Sequence, residues 1–259
     1  MNTELIRKGT ALLLLLAIGY GPVLADDSRD KDKDRPVVDK PADRQPAKDD
    51  RVAGNKSPGT MPVYVPPMRG APVARVGGGT RGVGDELPYV SVVTPEHTGH
   101  TSSPQPVLYW YLSEAVDTRF EFALINDDEI EPIIEIATQR KMQKGLNFLD
   151  MSEHGVLLKP GIIYQWSVAL VGQPEKRSSD IVSSGTIELV ELNDGQRAAL
   201  AGAGASEAVM IFAREGYWYD TFTALSRMID ANPGDSSLVD TRKALLRQVG
   251  LDEVADAGQ

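Results

Sequence analysis

A glycine-rich segment between two arginines is the part of this sequence that most resembles a ligand-binding motif. Gly77, Gly79 and Gly82 have the spacing G-x-G-x-x-G, which in a dinucleotide site follows a strand and opens a helix. Here prolines flank the segment and no Lys-Ser or Lys-Thr follows it, which argues against nucleotide binding and against a phosphate-binding loop. Two interpretations stay open: a nest of N–H groups that contacts an anion or a partner, or a segment that packs too closely for side chains. The residues of this candidate contact are Arg75, Gly77, Gly78, Gly79, Thr80 and Arg81.

A pair of histidines supplies the second candidate chemistry. His97 and His100 form H-x-x-H directly after Glu96, and the three side chains could together ligate zinc or copper. The pair lies in a stretch rich in Thr, Ser and Pro, where such residues more often cap a turn and face water. We therefore predict no cofactor, and His97 and His100 stay as the metal candidates.

Hydrolytic chemistry has no local motif in this chain. The sequence lacks G-x-S-x-G, and Ser183-Ser184-Gly185 lies in a predicted strand instead of at a strand-to-helix elbow. Acidic residues are abundant, so two carboxylates could meet in a cleft as they do in glycosidases. The sequence selects no such pair, and we assign no catalytic residue.

Two clusters of aromatic residues form a candidate binding surface. In the first cluster, strand alternation sends Trp110 to one face and its two neighbouring tyrosines to the other. In the second, Trp218 begins an apolar helix stripe, and the flanking tyrosines are expected to be exposed. Such rings either pack inside the protein or stack on sugar rings. The candidate surface residues are Tyr109, Tyr111, Tyr217 and Tyr219.

The first 25 residues have the three parts of a secretory signal peptide. Arg7 and Lys8 precede an apolar run from Ala11 to Ile18, and short side chains end at Ala25. A membrane-spanning helix needs about 20 apolar residues, so this run is too short. We predict cleavage after Ala25 and export to the periplasm or the extracellular space. No second long apolar segment follows, so we expect no transmembrane segment after cleavage.

Composition narrows the function classes further. The chain has no cysteine, which excludes disulfides, zinc–thiolate sites and thiol nucleophiles. Its net charge is −10, which becomes −11 once the signal peptide with Arg7, Lys8 and Glu4 is removed. An acidic surface of this kind repels phosphate backbones, so we expect no nucleic-acid partner. Residues 26–60 contain nine Asp and nine Lys or Arg with recurring prolines and no aromatic residue, which predicts a disordered linker.

The chain between residues 87 and 192, after a glycine-rich entry segment at 61–86, has the pattern of an all-β sandwich. Several short runs alternate apolar and polar residues, as strands with one buried face do. The sequence L-x-P-G-x-x-Y, which ends at Tyr164, resembles the tyrosine corner of fibronectin type III domains. Together these features predict an immunoglobulin- or fibronectin-III-like sandwich. The predicted strands are Pro88–Thr94, Val107–Ser113, Arg119–Asn126, Ile130–Thr138, Leu146–Met151, Ile162–Val171 and Ile181–Leu192.

Residues 193–255 change to a helical period. Asn193 with Gln196 forms a capping box at the start of a first short helix. A second helix is expected at Glu207–Glu215, ending at Gly216, and a third carries an apolar stripe that begins at Trp218. Ser237 is predicted to cap a last helix that ends near residue 250. The spacing from Gly216 to Pro233 resembles one tetratricopeptide repeat, which favours a small helical hairpin docked on the sandwich.

Several of these motifs together resemble an uncharacterised bacterial family, domain of unknown function 928. The resemblance extends from about Gly70 to Leu251. It rests on the glycine-rich block, the Pro106–Leu112 run, residues 158–168, residues 177–180 and Gly216-Tyr217-Trp218-Tyr219-Asp220. It implies export and a shared architecture, and it implies no activity.

Three function classes remain open on this basis. We predict a non-enzymatic, exported module for protein–protein contacts, whose partner is another envelope protein. A module that binds a carbohydrate or glycan is the alternative, based on the aromatic clusters. A hydrolase that uses paired carboxylates is the third class.

Overall fold

A computed structural model describes residues 61–67, 75, 88–126 and 131–257 of the chain. The predicted signal peptide, the linker, the glycines from Gly77 to Gly79, Thr80, Arg81 and residues 127–130, with the start of the predicted strand Ile130–Thr138, lie outside these residues. Within them the structure consists of two β-sheets followed by helices. The strands are β1 (Val90–Val92), β2 (Gly99–Thr101), β3 (Val107–Leu112), β4 (Val116–Asn126), β5 (Ile134–Met142), β6 (Gly145–Asp150), β7 (Ile163–Val171) and β8 (Ile181–Leu189). The helices are α1 (Asp194–Gly202), α2 (Ala205–Arg214), α3 (Trp218–Ala231), α4 (Ser236–Gln248) and α5 (Asp252–Asp256).

The smaller sheet has the strand order β1-β3-β6, and the larger has the order β2-β8-β7-β4-β5. Neighbouring strands are antiparallel except β2, which pairs parallel to β8. All seven predicted strands are present, within a few residues at each end. The prediction omitted β2, because three residues with the sequence GHT carry no apolar alternation.

The two sheets bury their facing sides against each other. Along β4, Phe120, Phe122 and Leu124 are buried while the residues between them are partly exposed, as period-two alternation predicts. The ring of Trp110 in the smaller sheet stacks on that of Phe120 in the larger, with centroids 5.2 Å apart. This contact joins the sheets through one apolar core.

The predicted corner before β7 has the expected hydrogen bond. The Lys159 amide donates to the Tyr164 hydroxyl at 3.0 Å, while the Tyr164 ring is 2% exposed. Gly161 lies between them with φ of +73°, a conformation that glycine adopts without steric cost. Tyr164 therefore has a structural role, as the sequence indicated.

The helices follow the local signals in the sequence, with two corrections. The capping box of α1 is present, since the Gln196 amide donates to the Asn193 side chain and the Gln196 side chain accepts from the Asn193 amide. The prediction of Ser237 as the cap of α4 is wrong: Asp235 caps this helix by accepting from the Ser237 amide and hydroxyl. The prediction that α4 is the last helix is also wrong, because α5 follows it. Among the described residues, no helix is long and apolar enough to cross a membrane.

Candidate functional site

Gly216-Tyr217-Trp218-Tyr219-Asp220, at the turn from α2 into α3, joins the helices to the sheets. The Trp218 indole N–H donates to the Val93 carbonyl at 2.9 Å, just after β1. Its ring is fully buried and lies against those of Tyr64 and Phe222. Most of this motif thus builds the seam between sheets and helices, which explains its distinctive residue types.

Tyr219 is the central hydrogen-bonding residue of this seam. Its hydroxyl donates to the Thr186 carbonyl at 3.0 Å and accepts from the Trp166 indole N–H at 2.8 Å. The Thr94 hydroxyl is 3.0 Å away, and it must donate because the single phenol proton is already engaged. Burial raises the pKa of Tyr219 above its usual value, so the hydroxyl stays protonated. A Cβ at Gly99 would lie 2.7 Å from the Tyr219 ring, which explains the glycine at that position.

Asp220 fastens the start of α3 to the loop after β2. Its carboxylate accepts from the Ser102 amide at 2.9 Å and from the Ser102 hydroxyl at 2.5 Å. Burial raises the pKa of Asp220, and the hydrogen bonds from Ser102 oppose that shift. A buried carboxyl with a raised pKa is a feature of some active sites, but here its partners are a local amide and hydroxyl.

The segment 61–67 runs across the helices and is held by both its backbone and Tyr64. The Val65 amide donates to the Ala213 carbonyl at 3.0 Å, and the Tyr64 amide donates to Gln248 at 2.8 Å. Gly216 has φ of +81°, and a Cβ there would lie 2.9 Å from the Val65 carbonyl oxygen. The glycine is therefore required both by its conformation and by the close approach of this segment.

Arg75, one of the candidate anion contacts, donates to backbone carbonyls. Its guanidinium lies 2.9 Å from the Thr94 carbonyl oxygen, 3.3 Å from that of Val249 and 3.0 Å from that of Gly250. Burial lowers the pKa of Arg75, although the charge of Glu96 opposes this shift. Arg75 thus ties the end of α4 to the loop after β1. The other candidates of this segment, Gly77, Gly78, Gly79, Thr80 and Arg81, lie outside the described residues.

The two candidate metal ligands contact different partners. His97 Nε2 lies 2.9 Å from the Tyr64 hydroxyl, and the two rings are stacked. His100 Nε2 lies 3.7 Å from a Glu188 carboxylate oxygen. Burial lowers the pKa of both histidines, and the mutual repulsion of the pair lowers that of His97 further. In the part of the chain that the structure describes, no group of three or more His, Cys, Asp or Glu is placed to hold a metal ion.

Three of the four tyrosines predicted to form an aromatic binding surface are buried. Tyr111, Tyr217 and Tyr219 are 2%, 3% and 2% exposed, so the expectation that Tyr217 and Tyr219 face solvent is wrong. Since α3 packs against the sheets as well as other helices, its buried face is wider than the predicted stripe. Tyr109 is half-buried between Phe148 and Phe222. The rings of Tyr111, Tyr217 and Tyr219 are thus used for packing.

A groove of about 260 Å³ opens where the smaller sheet meets α3, α4 and α5. We call it the junction groove. Four charged residues line it: Lys144 next to β6, Asp230 on α3, and Arg242 and Lys243 on α4. The rest of its lining is largely apolar and includes Tyr111, Leu146, Ile229, Val239, Leu246 and Val254. The junction groove therefore combines apolar walls with an excess of positive charge.

Arg242 is the residue of the junction groove that sequence reasoning missed. It is 8% exposed, and it forms no hydrogen bond and no ion pair within 4 Å with another described residue. Burial lowers the pKa of Arg242, and the charge of Asp230 opposes this shift. A signal was present in the sequence, because Arg242 precedes Leu245 and Leu246 by three and four residues and so falls in the apolar stripe of its helix.

Comparison with known proteins gives a family and no activity. No curated protein matches this sequence. The family model described as Domain of Unknown Function (DUF928) matches residues 76–258, which include all of β1 to β8 and all of α1 to α5. The chain therefore belongs to the family of domain of unknown function 928.

Proposed function

We propose that this protein is an exported, non-enzymatic module that binds a partner protein of the cell envelope through the junction groove. One observation carries the proposal: a concave surface lined by residues of the smaller sheet and of three helices, with apolar walls and cationic side chains. Concave sites of this composition, formed where structural units meet, are typical binding sites.

The scaffold suits such a role. We propose that the two sheets form a sandwich of the immunoglobulin or fibronectin-III type, with β2 as an added strand. Support comes from the strand orders β1-β3-β6 and β8-β7-β4-β5, which correspond to the two sheets of that topology, and from the Tyr164 hydroxyl bond before the penultimate strand. The helices α2 and α3, which pack against each other, are the part that resembles a tetratricopeptide hairpin. Fold type alone assigns no function, so the junction groove carries the argument.

Export is supported by the positively charged start, the short apolar run and the short side chains of residues 1–25. When the full-length sequence is expressed, we expect the periplasm or the medium to contain a form of the protein that has been cleaved after Ala25. Removal of residues 2–25 is expected to retain the protein in the cytoplasm. Fractionation with N-terminal sequencing of the exported form tests this point, and an intact N-terminus at Met1 on the exported protein would contradict it.

Site-specific crosslinking in intact cells tests the binding role. A photoreactive amino acid at Val239, in the junction groove, is expected to crosslink one protein reproducibly. The same amino acid at Ala198, exposed on α1, is the matched control and is expected to give no such product. The product from Val239 should also decrease when Lys144 and Lys243 are both changed to Glu. A product of equal yield from both positions, or one insensitive to the charge reversal, would refute partner binding at this groove.

A further inference from the structure

We infer that the junction groove binds the C-terminus of a partner polypeptide whose last residue has an apolar side chain. The inference rests on the proposed function, since it names the chemistry of the partner at that same groove. It combines three observations: the charge of the lining, the unpartnered Arg242, and the size and character of the walls.

The charge of the lining favours an anion. Lys144, Arg242 and Lys243 contribute three positive charges and Asp230 one negative charge, which leaves two positive charges. None of the four forms an ion pair within 4 Å in the described part of the chain. The protein as a whole carries a net charge of −10, so this concave positive region stands out on an acidic molecule.

Arg242 supplies the specific recognition. Its side chain is more than nine-tenths buried, yet no described residue accepts its N–H groups. Its guanidinium nitrogens keep contact with the groove that Arg242 lines, where their five N–H donors need acceptors from water or a ligand. The planar guanidinium fork matches the two oxygens of a carboxylate, which gives a bidentate, charge-assisted pair.

The apolar residues that line the groove indicate which kind of molecule carries the carboxylate. Leu146, Val239 and Val254 provide apolar surface, so the ligand must present an apolar group close to its charge. A volume of about 260 Å³ holds a carboxylate and roughly one residue, since about 150 Å³ suffices for benzene. In a chain terminus the carboxylate and the side chain are attached to the same Cα, which brings both into this space. An internal Asp or Glu offers only one or two methylene groups beside its carboxylate and no separate apolar side chain on the same Cα, and a phosphate offers none.

Binding of matched peptides to the full exported protein tests the inference. The probe is a fluorescent hexapeptide ending in leucine with a free carboxylate, and its controls are the same peptide as an amide and the same peptide ending in serine. We expect the free acid to bind at least tenfold more tightly than either control in fluorescence anisotropy titrations. The tenfold preference for the acid over the amide should disappear in Arg242→Met, which keeps the volume and removes the charge.

Two further variants keep the test decisive. Arg247→Met, on the same helix but exposed and paired with Asp256, is the matched control and should bind like the wild type. If Arg242→Met fails to fold, the double variant Lys144→Glu/Lys243→Glu should lower affinity for the acid at least tenfold. Equal binding of acid and amide would overturn the inference while a groove-specific crosslink in cells would still support partner binding. Octanoate that binds more tightly than the peptide would also overturn it, because the occupant would then be a small amphiphilic acid.

Discussion

The hydroxyl of Tyr219 offers the sharpest test of how the helices are held on the sheets. Tyr219→Phe removes one oxygen atom and leaves the ring, so the packing against Gly99 is retained. The change deprives the Trp166 indole N–H, the Thr186 carbonyl and the Thr94 hydroxyl of a hydrogen-bond partner in a buried location.

The expected cost follows from these three groups. Each buried polar group left without a hydrogen bond costs about 1–3 kcal/mol, and the three are close enough that their costs are not additive. We therefore expect Tyr219→Phe to lower the free energy of unfolding by about 2–4 kcal/mol. Tyr217→Phe is the matched control, because the Tyr217 hydroxyl makes a single long bond of 3.4 Å to Gln196. It should change the free energy of unfolding by less than about 0.5 kcal/mol.

Urea unfolding followed by tryptophan fluorescence measures both variants. The slope of the free energy of unfolding against urea concentration should be unchanged in both variants, since the same surface is exposed on unfolding. If Tyr219→Phe lowers the free energy of unfolding no more than Tyr217→Phe does, the view that the Tyr219 hydroxyl stabilises the contact between the helices and the sheets is refuted. In a double-mutant cycle with Thr94→Val, the coupling energy should be about 0.5–3 kcal/mol, because the two hydroxyls are in direct contact.

Three other predictions concern positions where a single atom or proton matters. Gly216→Ala should lower the free energy of unfolding in urea more than Gly161→Ala does. Both glycines have positive φ, but only at Gly216 would the new Cβ lie 2.9 Å from a backbone oxygen. Equal decreases in the free energy of unfolding would contradict this. Gly185→Ala should lower the free energy of unfolding in urea by at least about 2 kcal/mol, because its Cβ would lie 2.2 Å from the Thr94 methyl group. Gly172→Ala, where the new Cβ has open space, is the control and should change the free energy of unfolding little. A small change in both variants would contradict the prediction. The raised pKa of Asp220 means that its contribution to stability decreases as pH rises above the ordinary Asp pKa. The stability of the wild type relative to Asp220→Asn should therefore be greatest at low pH and fall towards neutrality, and a difference that grows with pH would refute the shift.

Much of the fold could be predicted because its signals are local. The Tyr164 corner depends on a hydrogen bond between residues only five positions apart, and the α1 capping box on residues three apart. Alternation along β4 and β7 identifies one buried face without knowledge of what covers it. The error at the start of α4 occurred because two local signals compete: Asp235 and Ser237 both suit a helix cap, and only the chain path before α4 decides between them.

The site was less predictable, because its residues are joined across long stretches of chain. Tyr219 and Thr94 are 125 positions apart, and Arg75 contacts Gly250 across 175 positions. A helix stripe predicts that Trp218 is buried, but it does not show that a sheet covers a second side of the same helix and encloses Tyr219.

The sequence by itself determined seven of the eight strands in the described residues, most of their helices, the tyrosine corner, the family resemblance and the absence of thiol chemistry. These features depend on residue type and on near neighbours, which the order of residues contains directly. Only the tertiary structure showed that the tyrosine clusters are mostly packing residues. It also showed that Arg242 lines a groove and has no hydrogen bond or ion pair with another described residue. The reason is physical: burial and hydrogen bonding of a side chain depend on which distant surface is packed against it.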